Sequence, residues 1–222
     1  MSVPRVLHLI NGEYFGGSAR VLVNYLGAPG RASDVAVGVF FSGELERRLR
    51  EMGIPVQLVE MRGRMDVAAA RQVVRLARRH RADLVHTHQV RNTLIGRLAA
   101  RVDGRRVVTH VHSPAFREST SGARNRVTGT VDRVLARWSH RFIAVSRSLA
   151  EEAARVGVPA DRIRVVANGV PLPRPADAAV RGEVRSELGL AVKGDPRHVL
   201  AERVHGASSL WPSSSARLSS IE

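Results

Sequence analysis

LVHTHQVRNTLIGRLAARVDGRRVVTHVH, residues Leu84 to His112, holds two short apolar runs on either side of an amphipathic segment. Leu84–Thr87 reads as a buried strand, Asn92–Arg101 as a helix and Val107–His112 as a second strand. Strand, helix, strand at this spacing is a crossover unit, so the two strands run parallel and the connection is right-handed. The strands are continuous apolar runs rather than alternating ones, as expected where helices cover both faces of a sheet.

The same alternation extends in both directions. Toward the N-terminus stand strands at Arg5–Ile10, Asp34–Phe41 and Pro55–Glu60. Between them lie a helix opening at Gly16-Gly17-Ser18, with Ala19, Leu22, Val23 and Leu26 on one face, and a helix over Gly43–Gly53. Asp66 can cap a helix to His80, with Val67, Ala70, Val74 and Ala77 as its apolar stripe. Toward the C-terminus, Arg124–Trp138 has helical spacing, and Phe142–Val145 and Ile163–Ala167 read as strands. Ser148-Leu149-Ala150-Glu151 has capping-box spacing and starts a helix ending at Gly157. The expected fold is α/β, a Rossmann-like doubly wound parallel sheet over residues 1–172. Pro171, Pro173 and Pro175 then make a stiff linker, with residues 173–193 as a connecting remnant. Residues 194–222 lose periodicity, turn serine-rich and read as a disordered tail.

Composition narrows the function. The chain of 222 residues has no cysteine, which excludes disulfides and thiolate metal sites and fits a reducing cytosol. The apolar run Val6–Ile10 is too short for a signal peptide, and with no stretch of about 18 apolar residues neither a leader nor a membrane span is expected. The net charge of +15 is carried almost wholly by arginine, Lys193 being the only lysine. Such an excess attracts nucleic acid, anionic lipid or phosphorylated substrates. Aromatic residues are only 4% and no recognition motif appears, so nucleic acid is not the expected partner.

Chemistry in an open parallel sheet belongs at the carboxyl ends of the strands. Gly16 and Gly17 open the first helix there, and their backbone N–H groups could meet a phosphate. Neither a GxGxxG fingerprint nor a P-loop is present, and a plain turn reads about as well. His86 and His88 end one strand, and His110 and His112 end the next, each pair on one face. Four imidazoles suit zinc, but no Asp or Glu stands beside either pair to orient the rings, so no metal is expected. The plainer reading of each histidine alone is a strand-end cap. Asn168-Gly169 reads as a turn or an interdomain hinge. Arg71, Arg75, Arg78 and Arg79 form a solvated helix face. Arg124, Arg126, Arg133, Arg137 and Arg141 surround an apolar set ending in Trp138, which suits either a core-facing helix or an anionic membrane surface.

Taken together these residues resemble a known family. Phe15-Gly16-Gly17-Ser18-Ala19-Arg20-Val21-Leu22 is similar to the opening loop and helix of family 4 glycosyltransferases of the GT-B fold. Ala82–His88, Val107–His112, Phe142–Ser146 and Asp161–Val170 resemble that family's later strands, in order. The resemblance implies retaining transfer from a nucleotide sugar to a glycan or lipid-linked acceptor held by this N-terminal domain, with no cofactor and no metal. It implies that Gly16 and Gly17 meet the donor diphosphate, that His112 sits near the transferred sugar, with His86, His88 and His110 at the same edge, and that Asn168 and Gly169 form the hinge. The family's second domain carries a Glu-x7-Glu motif, and no two glutamates here are so spaced. The chain therefore reads as truncated, weak in binding nucleotide sugars and inactive alone, cytoplasmic, with peripheral contact on the inner face of the plasma membrane as an option. A non-catalytic sugar- or lipid-binding module and a fragment of a GT-B sugar-nucleotide epimerase stay open as alternatives.

Overall fold

The computed structural model describes residues 3–30, 33–63, 66–113, 122–169 and 178–189, without the side chains of residues 122–128 and 178–179. The chain divides into two units between residues 171 and 172. In the first unit, seven strands form one sheet, and every pairing in it is parallel. They are β1 (Arg5–Ile10), β2 (Asp34–Val39), β3 (Val56–Leu58), β4 (Leu84–His88), β5 (Arg106–Val111), β6 (Arg141–Ala144) and β7 (Ile163–Val165), in the order β3-β2-β1-β4-β5-β6-β7. Six helices connect them: α1 (Gly17–Gly27), α2 (Glu44–Glu51), α3 (Ala69–Arg79), α4 (Val90–Asp103), α5 (Gly122–Leu135) and α6 (Arg147–Arg155). Of the second unit the structure describes the helix α7 (Ala178–Glu187) and the turn after it.

Two apolar layers hold the sheet. Alternation along β1 and β2 sends Ile10, Val35, Val37 and Val39 to one face, where Leu22 and Leu26 of α1 and Leu45 and Leu49 of α2 cover them. Leu7, Leu9, Val85 and Val107 point to the other face, against Val73 and Leu76 of α3 and Ile95 and Ala99 of α4. Full burial of each large aliphatic side chain here contributes about 1.5–3 kcal/mol. Contact between α4 and β4 is close because Gly96 has no side chain: a Cβ there would lie 2.5 Å from Thr87 Cγ2 and 3.0 Å from Leu9 Cδ1. The same edge of α4 carries Arg97, 1% exposed, whose guanidinium pairs with Asp132 of α5 and donates to Ser139 Oγ at 2.8 Å. That arrangement fixes α5 and the approach to β6 against α4.

Several local expectations change. The buried face of α3 is Ala69, Ala70, Val73, Leu76 and Ala77, so the stripe is rotated from the one built on Val67 and Val74, and Val67 is exposed. The α3 helix starts at Ala69, and Asp66 accepts instead from the backbone N–H groups of Arg62 and Ala68. At α6 the cap is Ser146, whose Oγ accepts from the Leu149 N–H. The capping box expected from Ser148 and Glu151 is absent, because both residues already lie inside the helix. Arg71, Arg75, Arg78 and Arg79 are exposed as a solvated face would be, with Arg78 also paired to Asp103 of α4. The proline linker, the tail from residue 190 and the side chains of Arg124 and Arg126 lie outside the described residues.

Candidate active site

The order of the sheet reverses between β1 and β4, since β1 leads outward to β2 while β4 leads the opposite way to β5. A crevice at the carboxyl ends of such strands is where an open α/β sheet binds ligands. Five histidines gather there. In register, His8 of β1 is opposite His86 of β4, and His88 is opposite His110 of β5. His8 shares its face with Ile10, the face that α1 and α2 cover over β1 and β2. His112 follows directly after β5. The expectation of two histidine pairs on one edge therefore holds, and a fifth member, His8, joins them from β1, three strands earlier in the chain and next to β4 in the sheet.

The rings form a stacked array. Centroids lie 4.7 Å apart for His8 and His86, 4.6 Å for His86 and His88, and 4.1 Å for His110 and His112. Two contacts run edge to edge: His8 Nδ1 to His88 Nε2 at 3.0 Å, and His88 Nδ1 to His112 Nε2 at 3.1 Å. His8 and His88 are fully buried, and the others partly so. Burial removes the hydration an imidazolium needs, and a second charged ring nearby would repel it. Burial and the neighbouring His112 push His86 down to about 4. Burial and the rings of His112 and His86 push His110 down to about 3, and burial alone takes His112 to about 4. His88 falls well below the ordinary value for the same reasons. His86, His88, His110 and His112 are therefore neutral at physiological pH.

Neutral imidazoles are metal ligands, and two triads qualify by distance. The nitrogens of His8, His86 and His88 lie within 4.8 Å of one another, as do those of His88, His110 and His112. Stacked rings send their lone pairs along parallel planes, whereas ligands of one ion fan inward. The nitrogens that do face one another already sit at hydrogen-bonding separation. As it stands His8, His88 and His112 form a hydrogen-bonded chain, while among the described residues His86 Nε2 and both ring nitrogens of His110 are buried without a hydrogen-bond partner.

Beside it lies the N-terminus of α1. Gly16 is its N-cap and Gly17 its first residue, both exposed. Neither has a positive φ, and a Cβ on either would meet nothing within 4 Å. Among the described residues nothing demands glycine at either position. Phe15 anchors the loop, packing on the α1–α2 core with the Arg48 guanidinium 4.4 Å from its ring centre. Gly12, one turn earlier, is required by the fold: its φ is +78° and a Cβ would lie 2.9 Å from the Phe41 carbonyl oxygen.

Gln89 joins the two halves of the site. Its Nε2 donates to Ser18 Oγ at 2.6 Å, and its Oε1 accepts from Asn11 N–H at 3.1 Å and Asn92 Nδ2 at 2.8 Å. Its backbone has φ 68° and ψ 155°, a conformation that costs a non-glycine residue about 1–3 kcal/mol. Sequence reasoning missed both Gln89 and His8. A glutamine directly after a strand carries no signal of strain, and His8 lies within an otherwise apolar run. Asn168 and Gly169 are exposed beyond β7.

Comparison with known proteins follows from this geometry. The profile of Glycosyltransferase Family 4 matches residues 15–174. The UDP-Gal:alpha-D-GlcNAc-diphosphoundecaprenol alpha-1,3-galactosyltransferase of Escherichia coli is 27% identical over 125 residues, covering 55% of this chain and 32% of that protein. Among solved structures, HepE of Anabaena in complex with UDP superposes with a TM-score of 0.64 at 22% identity, over 83% of this chain and 50% of that one. A UDP-N-acetylglucosamine 2-epimerase superposes with a TM-score of 0.52 at 17% identity, over 75% of this chain and 49% of that one. These likenesses in structure establish a shared Rossmann-like α/β domain, one half of the GT-B fold. The chain spans about half the length of the solved structures and about a third of the curated relative.

Proposed function

The chain belongs to glycosyltransferase family 4, and from that premise we propose that it supplies the acceptor-side wall of a retaining transferase using a nucleotide-sugar donor. The observation that carries this reading is one continuous edge. The open N-terminus of α1 and His112 are linked through Ser18, Gln89 and His88 in a chain of side-chain contacts and one peptide bond. A donor diphosphate on the Gly16 and Gly17 amides would meet the positive end of the helix dipole. The sugar it carries would then lie toward His112, with His86, His88 and His110 lining the same edge. The relative in Escherichia coli acts from UDP-galactose on a diphosphoundecaprenol-linked sugar by its name. A UDP-sugar donor and a lipid-diphosphate acceptor are the corresponding substrates proposed here.

No metal enters the proposed reaction; the backbone amides and the helix dipole at the α1 N-terminus meet the phosphate charge. Asn168 and Gly169 serve as the hinge toward a second, donor-side domain. One wall cannot hold donor and acceptor together, and a misplacement of about 1 Å can cost on the order of a hundredfold in rate. The chain by itself is therefore expected to bind nucleotide sugars weakly and to transfer little sugar. Family membership favours transfer over epimerisation, although the epimerase shares the fold. Calorimetry with UDP-, GDP- and ADP-sugars, beside a radiolabelled transfer assay on lipid extracts, tests the reading. Turnover that disappears with His112→Ala would uphold the site and refute the need for a second wall. Turnover unaffected by that change would refute both.

A further inference from the structure

Three imidazoles form a hydrogen-bonded chain from the interior to the residue placed beside the sugar. His8 Nδ1 faces His88 Nε2 at 3.0 Å, and His88 Nδ1 faces His112 Nε2 at 3.1 Å. Each contact needs one N–H and one lone pair, and a neutral imidazole has one of each. Both contacts join an Nδ1 to an Nε2. If His8 donates from Nδ1, His88 must carry its hydrogen on Nδ1 to bond onward, and His112 must do the same. If His112 donates from Nε2 instead, all three carry their hydrogen on Nε2. Any mixed set sets two hydrogens or two lone pairs against each other at one of the contacts.

We propose that His88, backed by His8, is a positioning residue that locks the tautomer of His112 to its own. Through that lock the state of the buried pair decides whether His112 Nδ1 offers a hydrogen or a lone pair to a group beside it. It rests on the reading of His112 as the residue next to the transferred sugar. His88 is built to hold the ring plane it needs. It is 2% exposed, its carbonyl oxygen accepts from Asn92 Nδ2 at 3.4 Å, and the rings of His86 and His110 lie 4.6 and 5.3 Å from its own. The low basicity of His88 and His112, a consequence of burial, keeps a second hydrogen off both rings, and a second hydrogen would break the chain.

Nitrogen-15 correlation spectra of the whole labelled chain at neutral pH read the tautomer of each ring directly. His8, His88 and His112 should share a single tautomer. In His88→Phe, which keeps a ring in the space but has no nitrogen, His112 should show both tautomers. A mixed set among the three rings of the unaltered chain overturns the proposal, and this result needs no variant to fold. An unchanged single tautomer of His112 in His88→Phe also overturns it. The spectra do not depend on sugar transfer. A locked array with turnover indifferent to His112→Ala would sink the functional reading and leave the lock standing.

Discussion

A buried imidazole that stays neutral in the folded protein takes up a proton once the chain unfolds. The unfolded chain therefore binds more protons wherever the pH lies below the ordinary histidine value of 6.5 and above the folded one. Stability rises with pH across that window. With His86 and His112 held at about 4 and His110 at about 3, the stabilising contribution is fully present above about pH 6.5 and is lost progressively toward pH 4. Carboxylates stay ionised down to about pH 5, so urea unfolding between about pH 6.5 and 5 isolates the histidines. The midpoint should fall steadily over that range, and His86→Leu should reduce the slope; a flat midpoint would contradict the neutral array. Part of this was legible in the sequence. The spacing of His86 with His88 and of His110 with His112 put each pair on one face, because alternation along a strand is local. His8 was not legible as a member, since its place beside His86 depends on strand order, which no local pattern encodes.

Helices and strands here were readable to within a few residues, and their errors share a cause. Apolar periodicity locates a helix but does not say which of two adjacent stripes will meet the sheet. On α3, the choice of Val73 over Val74 follows from packing against β1 and α4. The cap of α6 moved to Ser146 because the end of β6 fixes where the chain can turn. Contact distance between elements was likewise invisible, although it decides what Gly96 does. Alanine at this position would gain about 1 kcal/mol in helix propensity. Its Cβ would press on Thr87 and Leu9, and overpacking of this kind costs about 1–3 kcal/mol. Thr87 is β-branched and stiff, so relief by rotation is poor. Gly96→Ala should lower the melting temperature, and Gly96→Val should lower it further. A rise with alanine, measured by calorimetry, would show that α4 shifts freely and that this contact does not set its seat on β4.

At the scale of the molecule, the excess of arginine has two readings, a solvated surface or an anionic partner. Arg133 and Arg137 are exposed, and Arg137 lies 6.0 Å from the Trp138 ring centre. Among the described residues no helix is long and apolar enough to cross a membrane. Docking of this segment on anionic lipid would bring the domain to a lipid-linked acceptor. Binding to vesicles containing phosphatidylserine should then weaken steeply with salt and with the double change Arg133→Glu and Arg137→Glu. Equal binding to neutral and anionic vesicles would leave the solvated surface. The central claim concerns the opposite kind of charge, a diphosphate on the open end of α1. Amide chemical shifts of the whole chain, followed while a UDP-sugar is added to millimolar concentration, test it most directly. Weak, saturable shifts centred on Gly16, Gly17, Ser18, Gln89 and His112 are predicted, and they should vanish with Gly17→Val. Shifts confined to the opposite edge of the sheet, around Arg81 and Arg106, or shifts untouched by Gly17→Val, would contradict the account.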